Sequence, residues 1–410
     1  MTICLFEDQK VRNLNPLVYL RPVYDLRCGI LSLRKKVEYY FEGAELLLHV
    51  RNPLENVTKE KNSGIVVNDF PSKEIIFING RLLIDYKLSV KIKALKPGNA
   101  IVQNEDTVAL CLKNVSEDVF DSEGNANIKN AGLNAEKIDS AVFINYPWDL
   151  ISNNEFELLA DYKRLVKSSK KFLKEQYYGV HFIEEDSIFL GEKVELKPGV
   201  ILDATDGPIY ISKGVKILHN AVVMGPAFIG KDSIIKMGAT LYHNTNIGEV
   251  CKIGGEVEDS IIQGFSNKQH DGFLGHSVLG EWVNLGAGTN NSDLKNNYGN
   301  ISVVINGESV NSGLQFVGLT MGDHSKSAIG TQFNTGTVVG LSSNIFGSGF
   351  PPKYVPSFAW GGADELMEYK IEKALEVAEK VMARRKIVLS EAEKELIRSV
   401  YEETSSERNF

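Results

Sequence analysis

Lys268-Gln269-His270-Asp271-Gly272 sets an imidazole beside a carboxylate, with an ammonium two residues before it. Histidine is the natural general base near neutral pH, and a neighbouring carboxylate can orient its ring. The bland alternative is that His270 and Asp271 only satisfy a corner of the chain. A second grouping gathers Arg21, Asp25, Arg27 and Arg34 in a short stretch. Arginines near a strand end clamp phosphates through bidentate bonds; the alternative is ion pairing with the adjacent acids. Asn79-Gly80-Arg81 directly follows the apolar run Ile75 to Ile78. Open α/β sheets bind ligands at such carboxyl ends of strands.

The elements that position these residues fall into two patterns. Ile211, Ile217, Val223, Ile229, Ile235, Leu241, Ile247 and Ile253 recur every six residues. Neither a helix nor a flat sheet gives that period; a β-helix does, with one short strand per hexad. Glycine follows several of these aliphatics, as in Ile229-Gly230 and Ile247-Gly248, where a Cβ is costly. The repeat predicts a rigid prism that assembles as a homotrimer. It breaks between Ile253 and Leu279 and again between Gly288 and Val317. Such breaks map to loops, and His270 lies in the first of them.

Before the repeat, strand-like runs at Glu45 to Val50, Ile75 to Asn79 and Ala141 to Ile144 alternate with helical stretches, Leu31 to Phe41 and Asn154 to Gln176. That alternation predicts an α/β domain with a mostly parallel sheet. Past Pro352, Asp364 to Lys386 has helical spacing. Ser390-Glu391-Ala392-Glu393 fits a capping box that opens a second helix to about Glu403. The expected domains are 1–180, 181–362 and 363–410: the α/β domain, a left-handed parallel β-helix of hexapeptide repeats, and C-terminal helices.

The chain has 410 residues, 43% hydrophobic and 24% charged, with net charge -8. The negative charge argues against nucleic-acid binding. Cys4, Cys28, Cys111 and Cys251 form no paired motif, which reads as reduced thiols in a cytoplasmic protein. No segment has the length of a membrane span.

Val283-Asn284-Leu285-Gly286-Ala287-Gly288-Thr289, the string Asn267 to Gly275, and Arg21-Pro22-Val23-Tyr24-Asp25-Leu26-Arg27-Cys28-Gly29 together resemble a known family. It is the divergent bacterial sugar nucleotidyltransferase family related to the bifunctional N-acetylglucosamine-1-phosphate uridyltransferase/glucosamine-1-phosphate acetyltransferase. The resemblance implies that His270 is the catalytic base of acetyl transfer, with acetyl-CoA as donor. It implies substrate contacts from Lys268, Asp271, Asn284, Asp293 and Lys295. For the first domain it implies nucleotide contacts from Arg21, Asp25, Arg27, Asn79 and Arg81. Asp149 would hold Mg²⁺, and Asn79 stands where another metal-binding Asp is expected; Asn153 or Asn154 capping a helix, with Asp149 in a turn, is the competing reading.

The chain also departs from the pattern. Phe273 replaces a Tyr, Asp293-Leu294 replaces Asn-Tyr, and Glu258 stands where a phosphate-contacting Lys is expected. The Gly-rich phosphate loop after the first strand is absent. The partners implied are a nucleoside triphosphate, a sugar phosphate and acetyl-CoA, giving a UDP-N-acetylglucosamine-type product. Two other readings stand beside this one: a nucleotidyltransferase whose coil is only a trimerisation scaffold, and a catalytically silent binding protein.

Overall fold

The computed structural model describes residues 1–71, 73–113, 115, 119, 133–166 and 174–410. Its first unit is a seven-stranded sheet built from β1 (Thr2–Phe6), β2 (Glu45–Leu48), β3 (Val66–Val67), β4 (Ile75–Asn79), β6 (Asn99–Gln103), β7 (Asp106–Leu112) and β8 (Asn134–Lys137), in the order β3-β2-β1-β4-β7-β6-β8. A separate short pair joins β5 (Leu82–Leu83) to β9 (Val142–Phe143). β1 is central, parallel to both β2 and β4, and every residue in it is buried. Strands covered on both faces are continuously apolar, which is why these runs do not alternate. Four helices flank the sheet: α1 (Leu33–Tyr40), α2 (Glu55–Lys61), α3 (Tyr86–Lys93) and α4 (Pro147–Leu165). α4 starts seven residues earlier than expected, with Asp149 in its first turn and Asn154 in its interior. The remainder of the predicted helix to Gln176 includes 167–173, outside the described residues.

The second unit is a parallel β-helix with three faces. The first face runs from His181–Ile183 to Phe273–Gly275, the second from Ile188–Leu190 to Tyr354–Val355, and the third from Glu195–Leu196 to Ala359–Gly361. All eight hexad aliphatics from Ile211 to Ile253 are fully buried in its interior. The glycines after them are required by close approach between coils: a Cβ on Gly248 would lie 1.9 Å from the Gln263 carbonyl oxygen.

The first break in the hexads is not a loop. The coil continues without interruption through Val257, Ile262, Lys268, Leu274 and Leu279, but three corners are shortened: two residues are dropped before Val257 and one each before Ile262 and Leu279. One inward slot is filled by Lys268, which stacks in register on Ile253. The second break is an insertion carrying the antiparallel hairpin Ser302–Ile305 and Glu308–Asn311. Ile301, Val303 and Ile305 of that insertion pack with Trp148 at the start of α4.

After the coil, Leu366–Glu368 is a strand antiparallel to Ala359–Gly361, where helix was expected. The helix α5 spans Ile371–Ala383. α6 spans Glu391–Glu403 and opens with the predicted box: Ser390 Oγ accepts the Glu393 N–H, and the Glu393 carboxylate accepts the Ser390 N–H. Leu375, Met382, Leu396 and Val400 share one core with the α/β unit and with Trp282, Leu341 and Phe358 of the coil.

The α/β unit is seated on the second face by buried polar contacts. The Asn154 carbonyl oxygen accepts N–H groups from Gly29 (2.9 Å) and Asn246 (2.8 Å), while its amide donates to Asn244 Oδ1 (2.6 Å). Gly29 has φ +77, and a Cβ there would meet α4 at 2.7 Å, so only glycine suits the position. Beside it the buried Lys36 ammonium bonds Glu157 (2.7 Å) and Asp161 (2.5 Å) of α4.

Candidate functional sites

At the carboxyl ends of β1 and β2 lies a cavity of about 350 Å³. Arg12, Tyr19, Arg51 and Asn52 line one side, and Leu396, Val400 and Glu403 of α6 close the other. Arg51 is held by Glu7 (2.9 Å) and donates to the Val18 carbonyl (2.8 Å). Burial pushes the Glu7 carboxyl above its usual range, against the pull of Arg51.

None of the five residues expected at a nucleotide lines this cavity. Arg21 turns to the coil, bridging Asp323 (3.0 Å) and Glu281 (3.1 Å). Arg27 also faces the coil: its N–H bonds Gln263, its guanidinium lies over Phe228, and it donates to the Ile30 carbonyl. Asp25 pairs with Arg34 (3.1 Å). The arginine clamp therefore gives way to domain contacts. The 21–34 segment is sandwiched between sheet and coil, where a charge needs a fixed partner.

Asn79 and Arg81 belong to a closed network at the ends of β1 and β4. The fully buried Arg81 guanidinium binds Asp8 (2.6 Å), Asp106 (2.7 Å) and the Asn145 side-chain oxygen. Asn79 donates to Asp8 and to the Thr107 carbonyl, and its oxygen accepts the Arg81 N–H. Asp149 Oδ2 accepts the N–H groups of Asn145 (2.8 Å) and Tyr146 (2.9 Å), capping α4. Asn79 is uncharged and its oxygen already accepts the Arg81 N–H, Asp149 Oδ2 is turned to the backbone, and Arg81 already neutralises two carboxylates. This set does not fit Mg²⁺, and no step is assigned to that ion.

On the coil, a basic cavity of about 270 Å³ opens on the third face. Its floor is Lys252, Asn267, Asn284 and Lys326, which occupy the outward positions of successive strands. The stacked rings of Phe265 and Trp282 (4.5 Å) form one wall. Arg384 and Arg385, just past α5, reach over the rim. Four cations and no carboxylate face this space. Arg385 Nη2 donates to Asn267 Oδ1 (3.0 Å), while its buried Nε has no partner.

Burial lowers the Lys252 ammonium and brings Lys326 down to about 8. Lys326 is thus charged below pH 8 and neutral above it. Sulfate, whose own charge is constant in this range, should bind more weakly at pH 9 than at pH 7, as read by calorimetry. Equal affinity at both would exclude Lys326 from anion binding.

The residues expected at the substrate are split among three places. Asn284 lines the basic cavity. His270 and Asp271 are exposed at the corner leaving the third face, immediately after Gln269, which also lines it. Lys268 is a correction: it points inward, 2% exposed, and donates to the carbonyls of Gly254 (2.9 Å) and His270 (3.2 Å). Alternation along a strand puts Asn267 outside and Lys268 inside, so Lys268 holds the His270 corner rather than a ligand. Lys295 Nζ donates to the Asn300 carbonyl within the insertion. Asp293 does not line the cavity; its carboxylate pairs with His276 Nδ1 at 2.8 Å at a different corner.

His276 was not singled out by sequence. Burial works to lower its pKa, but the bond to Asp293 and the charge of Asp259 outweigh it, leaving the imidazole above its ordinary value. The cations Lys252, Arg384 and Arg385 were also missed. Lys252 is legible once outward positions on the third face are aligned coil by coil; the arginines come from a helix whose docking no local pattern reveals.

Residues 3–170 match the family described as sugar nucleotidyl transferase. A bifunctional sugar-1-phosphate nucleotidylyltransferase/acetyltransferase of Sulfurisphaera tokodaii is 31% identical over 369 residues, 81% of this chain and 88% of that one. The chain belongs to this family. Within the bifunctional sugar-1-phosphate nucleotidylyltransferase/acetyltransferase family, other relatives match a shorter stretch. A bifunctional protein GlmU of Rippkaea orientalis is 31% identical over 138 residues, 27% of this chain and 29% of that protein, so the match spans under a third of its length. Among solved structures, a UDP-N-acetylglucosamine acyltransferase of Francisella novicida covers 56% of this chain and 84% of its own, at 14% identity and a TM-score of 0.28. Among the described residues, no helix is long and apolar enough to cross a membrane.

Proposed function

We propose that the chain makes a nucleotide sugar at two sites: the coil acetylates the amine of an amino-sugar phosphate with acetyl-CoA, and the α/β unit joins a sugar 1-phosphate to a nucleotide with release of pyrophosphate. A UDP-N-acetylglucosamine-type product, a cytoplasmic setting and a homotrimer are part of this reading. The observation that carries it is the basic cavity on the third face, where four cations and two stacked aromatic rings meet without an acid. Such a place suits a phosphate-bearing ligand. It also supplies the positive charge that Glu258 withholds elsewhere.

His270 adjoins this cavity through Gln269, and its side chain is exposed. In acetyl transfer the amine attacks the thioester carbonyl, a base removes a proton from the attacking nitrogen, and the carbon–sulfur bond breaks as the thiolate leaves and is protonated to the free thiol. In this reading His270 takes that proton. The cavity at β1 and β2, with Arg12 and Arg51, is assigned to the nucleotide.

The assay is acetyl-CoA-dependent release of free thiol in the presence of amino-sugar phosphates. His270→Ala should lower kcat by about 10²- to 10⁴-fold, the usual worth of a general base. An undiminished rate removes His270 from the mechanism. The replacement of a phosphate-binding cation by Glu258 favours a second reading, nucleotidyl transfer alone on a scaffold coil. Pyrophosphate release without any acetyl transfer over the whole panel would select it.

A further inference from the structure

The corner that leaves the first face carries a second cluster, on the far side of that face from His270. Leu241, Val257 and Leu274 are in register on successive coils. His243, Asp259 and His276 each follow two residues later, and so form a column. Glu258 adjoins it. His243 Nε2 lies 3.4 Å from Asp259 Oδ2, and His276 Nε2 lies 3.8 Å from the same oxygen. One ligand atom from each of His243, Glu258 and Asp259 falls within 4.8 Å of the others.

These separations are long for hydrogen bonds to a carboxylate. The first is close to the edge of a tetrahedron with about 2.0–2.1 Å from centre to nitrogen or oxygen, an edge of about 3.3 Å, and the second is wider. The atoms facing away from this centre are already engaged. Asp293 bonds His276 Nδ1 at 2.8 Å, and the Asn244 amide donates to Asp259 Oδ1 at 2.6 Å. A proton on Nδ1 toward Asp293 leaves the Nε2 lone pair facing Asp259 Oδ2. Such outer bonds orient imidazole and carboxylate ligands in metal sites. Phe316 stacks on His276 at 4.9 Å and shields one side, while the His243 side chain, 46% exposed, leaves an entry path.

We propose that this corner binds one divalent cation of the class that prefers imidazole with carboxylate, such as Zn²⁺, through His243 Nε2, Asp259 Oδ2 and the Glu258 carboxylate, with His276 Nε2, 3.8 Å from Asp259 Oδ2, the fourth ligand once its ring closes in. Two imidazoles separate it from all-oxygen sites for Mg²⁺ or Ca²⁺. A cation here also relieves the crowding of Glu258, Asp259 and Asp293.

The test is titration of chelator-treated full-length protein with Co²⁺, followed by its visible absorption. One equivalent should bind with the intense bands of a tetrahedral site, and Zn²⁺ should displace it. His243→Gln, at a half-exposed position, and Asp259→Asn should each weaken binding at least 100-fold. Asp293→Asn, which touches only the outer shell, should weaken it about 10- to 100-fold. Absence of stoichiometric binding, or binding that survives both His243→Gln and Asp259→Asn, overturns the proposal. The readout requires neither transferase activity, so its failure is separate from failure of the proposed function.

Discussion

Replacing Lys36 with methionine should destabilise the protein by about 3–5 kcal/mol, the cost of leaving buried charges without their partner. The ammonium is fully buried and bonds both Glu157 and Asp161. Asp161 also accepts the Leu31 N–H at 3.0 Å and pairs with Arg164 at 2.5 Å. Arg164 remains in the variant, which places the loss toward the lower end of that range. Because α4 carries Asn154 to the coil, the loss should loosen the α/β unit from its seat as well as lower the unfolding midpoint. Urea unfolding followed by circular dichroism reads the first effect, and faster proteolysis between the units reads the second. A midpoint within experimental error of the parent would refute the assigned role. A second variant, Lys36→Met with Asp161→Leu, should recover part of the loss, since removing both members of a buried pair is far less damaging than removing one.

Reversing two charges, Arg384→Glu with Arg385→Glu, should weaken binding of an anionic substrate at the proposed acetyl-transfer site by at least about 100-fold. Hydrogen bonds to charged groups contribute about 1.5–3 kcal/mol each, and two of them correspond to at least two decades in affinity. Arg384 is exposed and lies beyond the last turn of α5, so the fold should tolerate the change. The increase should appear in KM for the amino-sugar phosphate or for acetyl-CoA. Pyrophosphate release at the other cavity, lined by different residues, should stay at the parental rate. Unchanged KM for both acetyl-transfer substrates would sink the assignment of the basic cavity.

The coil was readable because six-residue spacing has one geometric meaning: Ile211 to Ile253 are all inside. Its breaks were harder. Dropping one residue at a corner shifts the count without ending the coil, and Lys268 occupies an aliphatic slot that pattern reasoning assigns to a loop. Ser390 signalled its helix because a capping box is local. Arg21 and Arg27 gave no such signal. Their partners, Asp323, Glu281 and Gln263, lie more than 230 residues away, and nothing in a short window says which acid meets which base. Asp149 stood equally between a metal and a turn; its two backbone bonds favour the turn. His243, Asp259 and His276 become visible as a set only after the shortened coils are put in register, since their steps of 16 and 17 residues hide the repeat.

The C-terminal tail walls both cavities: α6 closes the one at β1 and β2, and the end of α5 closes the basic one. Undocking this one segment would thus open both cavities together. Whatever ligand holds the tail down at one cavity supplies part of the ordering needed at the other, and linkage makes the help mutual. The last 40 residues thus border two cavities that share no lining residue.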